Sequence, residues 1–289
     1  MFIPETVSLL IFFVFGTIIG SFLNVVIYRF NTGRGIGGRS ACFSCRRTLT
    51  PSDLIPVLSF LFLRGKCRGC KSAVSFQYPI VELLTGFLFA GVFYADQAFL
   101  LVSPIAFTYN VAYHLIIMSI LVVILVYDLK HKIIPDAFVY AFAILSIFHL
   151  FIAFSPTGNV EFLNPSGWSM LAGGLLAFPF YLLWLISDGA WMGLGDAKLA
   201  LGIGWFLGLS AGGSAIIFGF WVGAVISIAL LLLSHFVASA RKDNWLGLRS
   251  VLPRLTMKSE VPFAPYLIIG LLIVFFLKYT IFTAMTFAW

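Results

Sequence analysis

The stretch LALGIGWFLGLSAGGSAIIFGFWVGAVISIALLLLSHFVASA (199–240) decides the fold class of this chain. It holds 42 consecutive residues without a charged side chain, whereas an α-helix needs ~20 residues to cross a bilayer. The glycine-rich segment GLSAGG (208–213) near its middle is a natural turn. The stretch therefore predicts two membrane-spanning helices, at 195–210 and 214–239.

The composition of the whole chain indicates a membrane protein. Of its 289 residues 61% are hydrophobic and 10% are charged, whereas about 25% of the residues in a soluble domain are charged. Other apolar stretches predict further spans at 6–28, 77–95, 105–127, 135–154, 166–187 and 262–285. The sequence thus predicts an all-α polytopic membrane protein with about eight transmembrane helices. A count of seven, or of six with a re-entrant segment, stays open.

Lysine and arginine residues are distributed unevenly among the predicted loops. Seventeen of the 18 lie at or after the first, third, fifth or seventh predicted span, and only Lys278 lies elsewhere. Because cytoplasmic loops carry such an excess of positive charge, these four loops are expected to face the cytoplasm. The net charge of +7 then reflects membrane topology and anionic lipid headgroups, and it is poor support for binding to nucleic acid.

The first predicted loop, residues 30–76, differs in kind from the spans. It is basic and glycine-rich, and it contains all four cysteines of the chain, as Cys42-x2-Cys45 and Cys67-x2-Cys70. Two CxxC turns at this separation resemble a zinc ribbon, in which four thiolates surround one ion. Unrelated thiols, disulfides and a redox pair are the alternatives, although disulfides are rare in the cytoplasm. A segment this short has little core, so a metal, zinc before iron, is expected to supply folding energy.

Two carboxylates are candidates for catalysis. Asp128 in YDLKHKIIPD (127–136) ends the third predicted span, and Asp196 in GLGDAK (193–198) begins the sixth, so both lie near the same face. Two carboxylates that share a proton and hold a water between them are the catalytic groups of aspartyl proteolysis. The simpler alternatives are a helix cap at Asp196 and an ion pair between Asp128 and a nearby lysine.

Residues around the two carboxylates have supporting roles in this hypothesis. Gly193 and Gly195 permit close approach of a substrate backbone beside Asp196. Lys198 is expected to bind a backbone carbonyl or a lipid headgroup, or to extend to the membrane surface. Asp136 is expected to cap or flank the fourth span.

Two other classes of function use the same residues. A proton- or cation-coupled transporter would use the aspartates, but such proteins place acidic residues deep in their spans and often contain an internal repeat. In this sequence the acids cluster at one interface and no repeat is evident. A membrane thiol oxidoreductase would need its cysteines on the oxidising face, which the charge distribution opposes.

Several motifs of this chain occur together in one known family. They are GxGDxK (Gly193, Gly195, Asp196, Lys198), D-x6-P-D (Asp128, Pro135, Asp136), the two CxxC pairs, GSFLNVVIYR (20–29), QYPIVELLTG (77–86) and VPFAPYLIIG (261–270). In this combination, which extends over nearly the whole chain, the sequence resembles the type IV prepilin peptidases, which are GxGD-type intramembrane aspartyl proteases. Two positions depart from the family pattern. Phe43 stands where many members have proline. Leu54 stands at the asparagine position of the family's frequent Asp-Asn-Ile-Pro motif, which reads Asp53-Leu54-Ile55-Pro56 in this chain.

The resemblance implies an enzyme of the bacterial cytoplasmic membrane. Such an enzyme removes the short basic leader from type IV prepilin or pseudopilin precursors, which serve type IV pili and type II secretion, and it cuts on the cytoplasmic side. The resemblance implies that Asp128 and Asp196 are the catalytic pair and that the four cysteines bind zinc. Many members also methylate the new amino terminus with S-adenosylmethionine. No motif marks the methyl-donor site, for which Glu82 and the Gly65-Lys66 pair are the candidates.

The expected organisation has three parts. Residues 1–29 form the first transmembrane helix, residues 30–76 form a cytoplasmic metal-binding domain, and residues 77–289 form a helical bundle that contains the protease site. The expected partners are precursor proteins and membrane lipid, with no nucleic acid.

Overall fold

A computed structural model describes residues 4–33, 35, 37–101, 103–154, 160–240 and 262–282. Its helices are α1 (Glu5–Arg29), α2 (Leu58–Phe62), α3 (Gln77–Asp96), α4 (Pro104–His131), α5 (Asp136–His149), α6 (Gly167–Ile186), α7 (Leu194–Ala240) and α8 (Ala264–Leu277). Five basic residues of the last predicted cytoplasmic loop lie outside the described residues: Arg241, Lys242, Arg249, Arg254 and Lys258. The same holds for Arg34 and for Val261 of VPFAPYLIIG.

The helices confirm the predicted class of an all-α, multi-pass membrane protein. In the described part of the chain, five segments are long and apolar enough to cross a membrane: α1, Gln77–Leu101, α4, α6 and Leu194–Leu232. The apolar helices α5 and α8 are shorter, at 14 residues each. Helix α7 is interrupted at Gly208, whose φ of 77° and ψ of 178° are not helical, so the interruption falls on the first residue of the predicted turn. The number of spans stays a prediction.

Two predicted spans end too late. The stretch 262–285 gives a helix, α8, that ends at Leu277, and the described residues after it are not helical. The stretch 135–154 was expected to be helical throughout, but α5 ends at His149 and a short strand follows, β1 (Ile152–Phe154). This strand pairs antiparallel with β2 (Val160–Phe162). The prediction at 135–154 was wrong because apolar character alone does not separate a short apolar strand from the end of a helix.

The described chain packs into two compact units. Unit 1 consists of Met1–Tyr127 and Ala137–Pro165, and unit 2 consists of Asp128–Asp136 and Ser166–Trp289. The last turn of α4 and the loop that follows it therefore belong to the same unit as α6, α7 and α8, whereas the rest of α4 belongs to unit 1.

Small residues bring α1 and α3 together in unit 1. A Cβ atom on Gly16 would lie 2.6 Å from the Thr85 carbonyl oxygen, and one on Gly20 would lie 2.8 Å from the Cα of Glu82. Contact this close requires glycine on the helix face, as in other membrane helix pairs. The Gly16-x3-Gly20 spacing thus fixes where Glu82 lies relative to α1.

A polar cluster occupies the end of α3 in unit 1. Asp96, the last residue of α3, forms an ion pair with His114 of α4, whose Nδ1 is 2.7 Å from Asp96 Oδ2. His149 stacks on Tyr113 with ring centroids 4.0 Å apart, and its Nδ1 is 3.3 Å from the Tyr109 hydroxyl. Both histidines inside predicted spans are thus half-buried residues with polar or aromatic partners.

Candidate active site and metal centre

Asp128 lies in the last turn of α4. The N–H of Lys132 donates to the Asp128 carbonyl oxygen at 2.7 Å, and Lys132 itself has a φ of 55°, so the helix ends in a left-handed residue. The chain then turns through the buried Pro135 and starts α5 at Asp136. The motif D-x6-P-D therefore covers the end of one helix, a short loop and the start of the next helix. Its first aspartate, Asp128, is buried, with 4% of its surface exposed.

Asp196 lies in the first turn of α7. The helix begins at Leu194, and the Asp196 N–H donates to the Gly193 carbonyl oxygen at 3.2 Å. The alternative of a helix cap at Asp196 is therefore wrong, because the residue is inside the helix. A carboxylate in a first helical turn is favoured by the helix dipole, and this one is 8% exposed.

Two side-chain contacts join the loop after α4 to the start of α7. A Cβ atom on Gly195 would lie 2.9 Å from the Cβ of Ile134, so glycine is required for the loop to pack there. Lys198 Nζ lies 2.6 Å from Asp136 Oδ1. This ion pair forms between the first residue of α5 and a residue near the start of α7. The expected roles of Lys198 at a backbone carbonyl, a headgroup or the membrane surface stay predictions.

The same two segments bring the carboxylates of Asp128 and Asp196 near enough for their charges to repel each other. The backbone N–H of Ala264, the first residue of α8, lies near the Asp128 carboxylate, and that of Gly193 lies near the Asp196 carboxylate. Within the described residues, Asp128 Oδ2 is buried and has no hydrogen-bond partner, and Asp128 forms no ion pair with a lysine. Two buried carboxylates whose charges interact, one of them with an unpartnered oxygen, are the groups that aspartyl catalysis needs to hold a water molecule.

Sequence reasoning missed two residues of this site. Ile134 lies inside D-x6-P-D, but no pattern marks it as the residue that packs on Gly195. Ala264 acts through its backbone, so its residue type gives no indication of its role. The one indication in the sequence is that Ala264 lies within the VPFAPYLIIG motif.

Replacing Gly195 with alanine is expected to lower the rate of the reaction at this site at least about tenfold, because the new methyl group displaces Ile134 and with it Asp128. The matched control is Gly174→Ala on α6 of the same unit, where a Cβ meets no atom within 4 Å. That variant should keep full activity and be slightly more stable, by about 0.4–1 kcal/mol. Equal turnover of the two variants would contradict the close packing at Gly195.

The four cysteines lie in two loops, here called knuckles, that are near copies of each other. In the first, the Cys42 N–H donates to the Arg47 carbonyl oxygen, and the Arg46 N–H donates to the Cys42 carbonyl oxygen, both at 2.9 Å. The second knuckle, which starts at Cys67, repeats both bonds, at 2.8 and 3.0 Å. The equivalent residues Arg46 and Lys71 have φ values of 56° and 60°. Each knuckle therefore presents two thiols on one tight turn.

The sulfur atoms of the two knuckles fit a tetrahedral metal site. All four Sγ atoms lie within 4.8 Å of one another, and those of Cys42 and Cys70, from different knuckles, are 3.8 Å apart. A Zn–S distance of about 2.3 Å in a tetrahedron gives S–S distances of about 3.8 Å. Among the described residues of 30–76, Cys67 alone is buried. The segment therefore has almost no apolar core, and the cysteines can hold a metal ion that takes its place.

Local hydrogen bonds prepare two of the thiols for a metal. The backbone N–H of Cys45 is the main cause that lowers the pKa of the Cys42 thiol from 9.0 to about 6. The Ser72 hydroxyl and then its backbone N–H lower the pKa of Cys70. Both effects favour the thiolate, which is the form that binds metal.

Asp53 connects the two knuckles. Its carboxylate accepts the Thr50 hydroxyl at 2.8 Å, lies 3.0 Å from Arg68 Nε of the second knuckle, and lies 3.5 Å from Arg47 Nη2 of the first. The Thr50 hydroxyl, and with it the two arginines, lower the pKa of Asp53. The Asp53-Leu54-Ile55-Pro56 motif thus begins with an ion-paired residue that holds the four-cysteine segment together.

Comparison with known proteins gives matches over most of the chain. Residues 14–95 match the bacterial peptidase A24 N-terminal domain, and residues 115–240 match the type IV leader peptidase family. The chain is similar to three proteins that are each called prepilin leader peptidase/N-methyltransferase. The identity is 32% to that of Bacillus subtilis (strain 168), with 90% of both chains covered. It is 35% to that of Myxococcus xanthus (strain DK1622), with 80% of this chain and 65% of the relative covered, and 29% to that of Aeromonas hydrophila, with 89% and 87% covered.

No solved structure matches the chain. The family matches include both regions described above, since the four cysteines lie within 14–95 and the two aspartates lie within 115–240. The resemblance predicted from the motifs is therefore confirmed, and this multi-pass membrane protein belongs to the type IV leader peptidase family.

Proposed function

We propose that this chain removes the short basic leader from type IV prepilin or pseudopilin precursors by aspartyl catalysis with Asp128 and Asp196. The names of its relatives support the class of substrate. The observation that carries the mechanism is the juxtaposition, within unit 2, of two buried carboxylates whose charges interact. The transporter alternative is not favoured, because the family matches are to peptidases.

The two carboxylates share one proton in the active form. The unpartnered Oδ2 of Asp128 accepts a proton from the attacking water, and the water oxygen forms a bond to the carbonyl carbon of the scissile peptide. Asp196 donates its proton to the carbonyl oxygen. Asp128 then gives its proton to the amide nitrogen as the C–N bond breaks, and the gem-diol proton returns to Asp196. The new carboxyl group and the new amine leave with the atoms of one water added.

The residues around the pair hold it in place. Gly195 lets Ile134 pack against the start of α7, and the ion pair of Lys198 with Asp136 ties the loop to the same helix. The backbone N–H of Gly193 lies near the Asp196 carboxylate. These contacts support a pre-organised site, in which little reorganisation is needed when substrate binds.

The proposal includes zinc at the four cysteines and methylation of the new amino terminus. The sulfur geometry supports zinc, and the N-methyltransferase part of the relatives' names supports the methyl transfer. S-adenosylmethionine would supply an electrophilic methyl group. The neutral amine of the cleaved protein then forms the N–C bond while the S–C bond breaks with its electrons left on sulfur, and the surplus proton passes to water.

The proposed location is the bacterial cytoplasmic membrane, with residues 30–76 and the aspartate pair on the cytoplasmic side. The support is the uneven distribution of lysine and arginine. In intact cells, a membrane-impermeant thiol reagent is therefore expected to leave Cys45 and Cys70 unlabelled, although both are exposed. Labelling before permeabilisation would contradict this orientation.

The function is tested with the purified, zinc-loaded protein in detergent and a prepilin precursor. Mass spectrometry is expected to show loss of the leader without added S-adenosylmethionine, and a further gain of one methyl group when it is present. Absence of cleavage for a precursor that a relative processes under the same conditions would overturn the proposal.

The Lys198–Asp136 ion pair gives a test of positioning. Lys198→Met is expected to slow cleavage about two- to fivefold, since partly exposed ion pairs contribute about 0.2–1 kcal/mol. The doubly reversed variant, with Lys198→Asp and Asp136→Lys, should recover most of the rate that either single reversal loses. Additive losses in the double variant would show that the pair has no positioning role.

A further inference from the structure

An exposed apolar patch lies on the four-cysteine segment, around the short helix α2. Leu58, Leu61 and Phe62 are 51%, 63% and 83% exposed, and their spacing places them on one face of the helix. Leu54 and Ile55, just before the helix, are also exposed. Large apolar side chains that lie together on a surface mark a contact with a protein or with a membrane.

Two contacts within unit 1 place this patch beside the start of α3. The Val57 N–H, directly before α2, donates to Glu82 Oε2 at 2.7 Å, and the rings of Phe60 and Phe76 lie 5.2 Å apart. At a rise of about 1.5 Å per residue, Glu82 lies about 7.5 Å beyond the first residue of the span Gln77–Leu101. Helices that lie in a membrane interface bury their apolar face about 5–10 Å deep. Helix α2 therefore lies at the depth of such a helix.

Both ends of α2 are fixed by backbone hydrogen bonds. Val57 has a φ of 60°, which is rare for a β-branched residue, and its bond to the buried Glu82 holds this strained turn against α3. After the helix, the Gly65 N–H donates to the Phe60 carbonyl oxygen at 2.9 Å, and the Gly65 carbonyl oxygen accepts the Val74 N–H at 2.8 Å. The patch is thus held between α3 and the second knuckle.

Basic side chains border the patch on the side of the second knuckle. Arg64 and Lys66 line a groove of about 300 Å³ together with apolar residues, among which are Phe60, Leu61 and Phe76. Both cations are exposed, and in the part of the chain that the structure describes neither forms an ion pair. An apolar surface bordered by cations complements a bilayer whose acyl chains end in anionic headgroups.

The patch is continuous with an apolar stripe on α3. Phe76, Ile80 and Phe87 are all exposed, and they lie on one side of the helix, since steps of four and eleven residues end within about 40° of the starting direction. In a helix that spans a bilayer, exposed apolar side chains face lipid. Because Phe76 touches Phe60 of α2, the stripe and the patch form one surface, and the same lipid can cover both.

We propose that the apolar patch around α2 inserts into the bilayer leaflet where α3 begins, with Arg64 and Lys66 at anionic phospholipid headgroups. In the proposed orientation this is the cytoplasmic leaflet. The bilayer then covers the large side chains that the four-cysteine segment leaves outside, and it fixes the second knuckle at the membrane surface. The proposal goes beyond leader cleavage and does not depend on it; it requires that Gln77–Leu101 spans the membrane.

The test uses the zinc-loaded full chain in nanodiscs whose phospholipids carry a photoreactive diazirine in the acyl chain. Mass spectrometry of the cross-linked peptides is expected to show label at residues 54–64 and, as the positive control, at 80–87. Label at 54–64 should exceed that at 40–50, the first knuckle, at least about fivefold. Replacing about a third of a neutral lipid by phosphatidylglycerol should raise the label at 54–64 about twofold.

Variants separate the apolar contribution from the charges. Phe62→Ser is expected to lower the label at 54–64 at least about threefold, because it removes the most exposed apolar side chain of the patch. The matched control is Phe162→Ser on β2, which is 86% exposed and should leave that label unchanged. The double variant Arg64→Gln with Lys66→Gln should keep the label in neutral lipid and lose the increase that phosphatidylglycerol causes. The zinc content of each variant reports whether the segment is folded.

The unmodified protein decides the proposal even if a variant fails to fold. Label at 80–87 with no more label at 54–64 than at 40–50 would overturn it. Cross-links from 54–64 to a precursor protein or to a second copy of the chain, without lipid label, would show a protein interface and would also overturn it. Equal lipid label in Phe62→Ser and in the unmodified protein, with zinc bound to both, would reject the insertion of α2.

Discussion

Replacing either Asp128 or Asp196 with asparagine is expected to lower the rate of leader cleavage about 10³-fold, while the protein still folds and inserts. Asparagine has nearly the shape of aspartate, but it can neither take a proton from water nor share one with the second carboxylate. The double variant should be no slower than either single variant, because the two groups act as one unit. The rate is followed by mass spectrometry of a precursor, and its dependence on pH should be bell-shaped, since the active form carries one shared proton.

The control for this prediction is Asp188→Asn. Asp188 is exposed in the same unit, and its φ of 49° is a conformation that asparagine adopts readily. The variant carries the same chemical change away from the pair, so its cleavage rate should equal that of the unmodified protein. A cleavage rate within twofold of normal for Asp128→Asn or Asp196→Asn would reject the carboxylate pair.

Removal of the metal is expected to unfold the four-cysteine segment. Since Cys67 alone is buried among the described residues of 30–76, little apolar packing remains when the ion is gone. Structural zinc contributes about 10–16 kcal/mol of binding free energy in small domains of this kind. A strong chelator, or Cys67→Ser, should therefore abolish the amide protection of residues 40–75 in hydrogen exchange and leave the chain without zinc.

The matched variant for Cys67→Ser is Ala73→Ser. Ala73 is an exposed residue of the second knuckle, so the change adds a hydroxyl group without touching a sulfur atom. Its zinc content and its exchange pattern should be normal. Full amide protection in protein shown to be free of metal would mean that another interaction folds the segment.

Much of the fold follows from local features of the sequence. The 42 uncharged residues from Leu199 to Ala240 could only be membrane helix, and a glycine was expected to interrupt them, as Gly208 does. The two CxxC motifs predicted neighbouring thiols because each motif forms a turn of its own. Such features are set by residues close in the chain, so they can be recognised without knowledge of the tertiary structure.

The contacts that build the sites could not be predicted in this way. Ile134 meets Gly195 across 61 residues of sequence, and Lys198 meets Asp136 across 62. Neither residue type marks its partner, and the flexible Lys198 side chain has several other uses at a membrane surface. The same holds for Glu82, whose partner is the backbone N–H of Val57, a group that every residue except proline has.

The division of the chain into units has a consequence for the proposed carboxylate pair. Asp128 belongs to α4 by sequence, but it lies in the same compact unit as Asp196, and the boundary falls between Tyr127 and Asp128. The spacing on which the proposed catalysis depends is therefore set by the packing of a single unit, although the two residues come from helices that are far apart in the sequence.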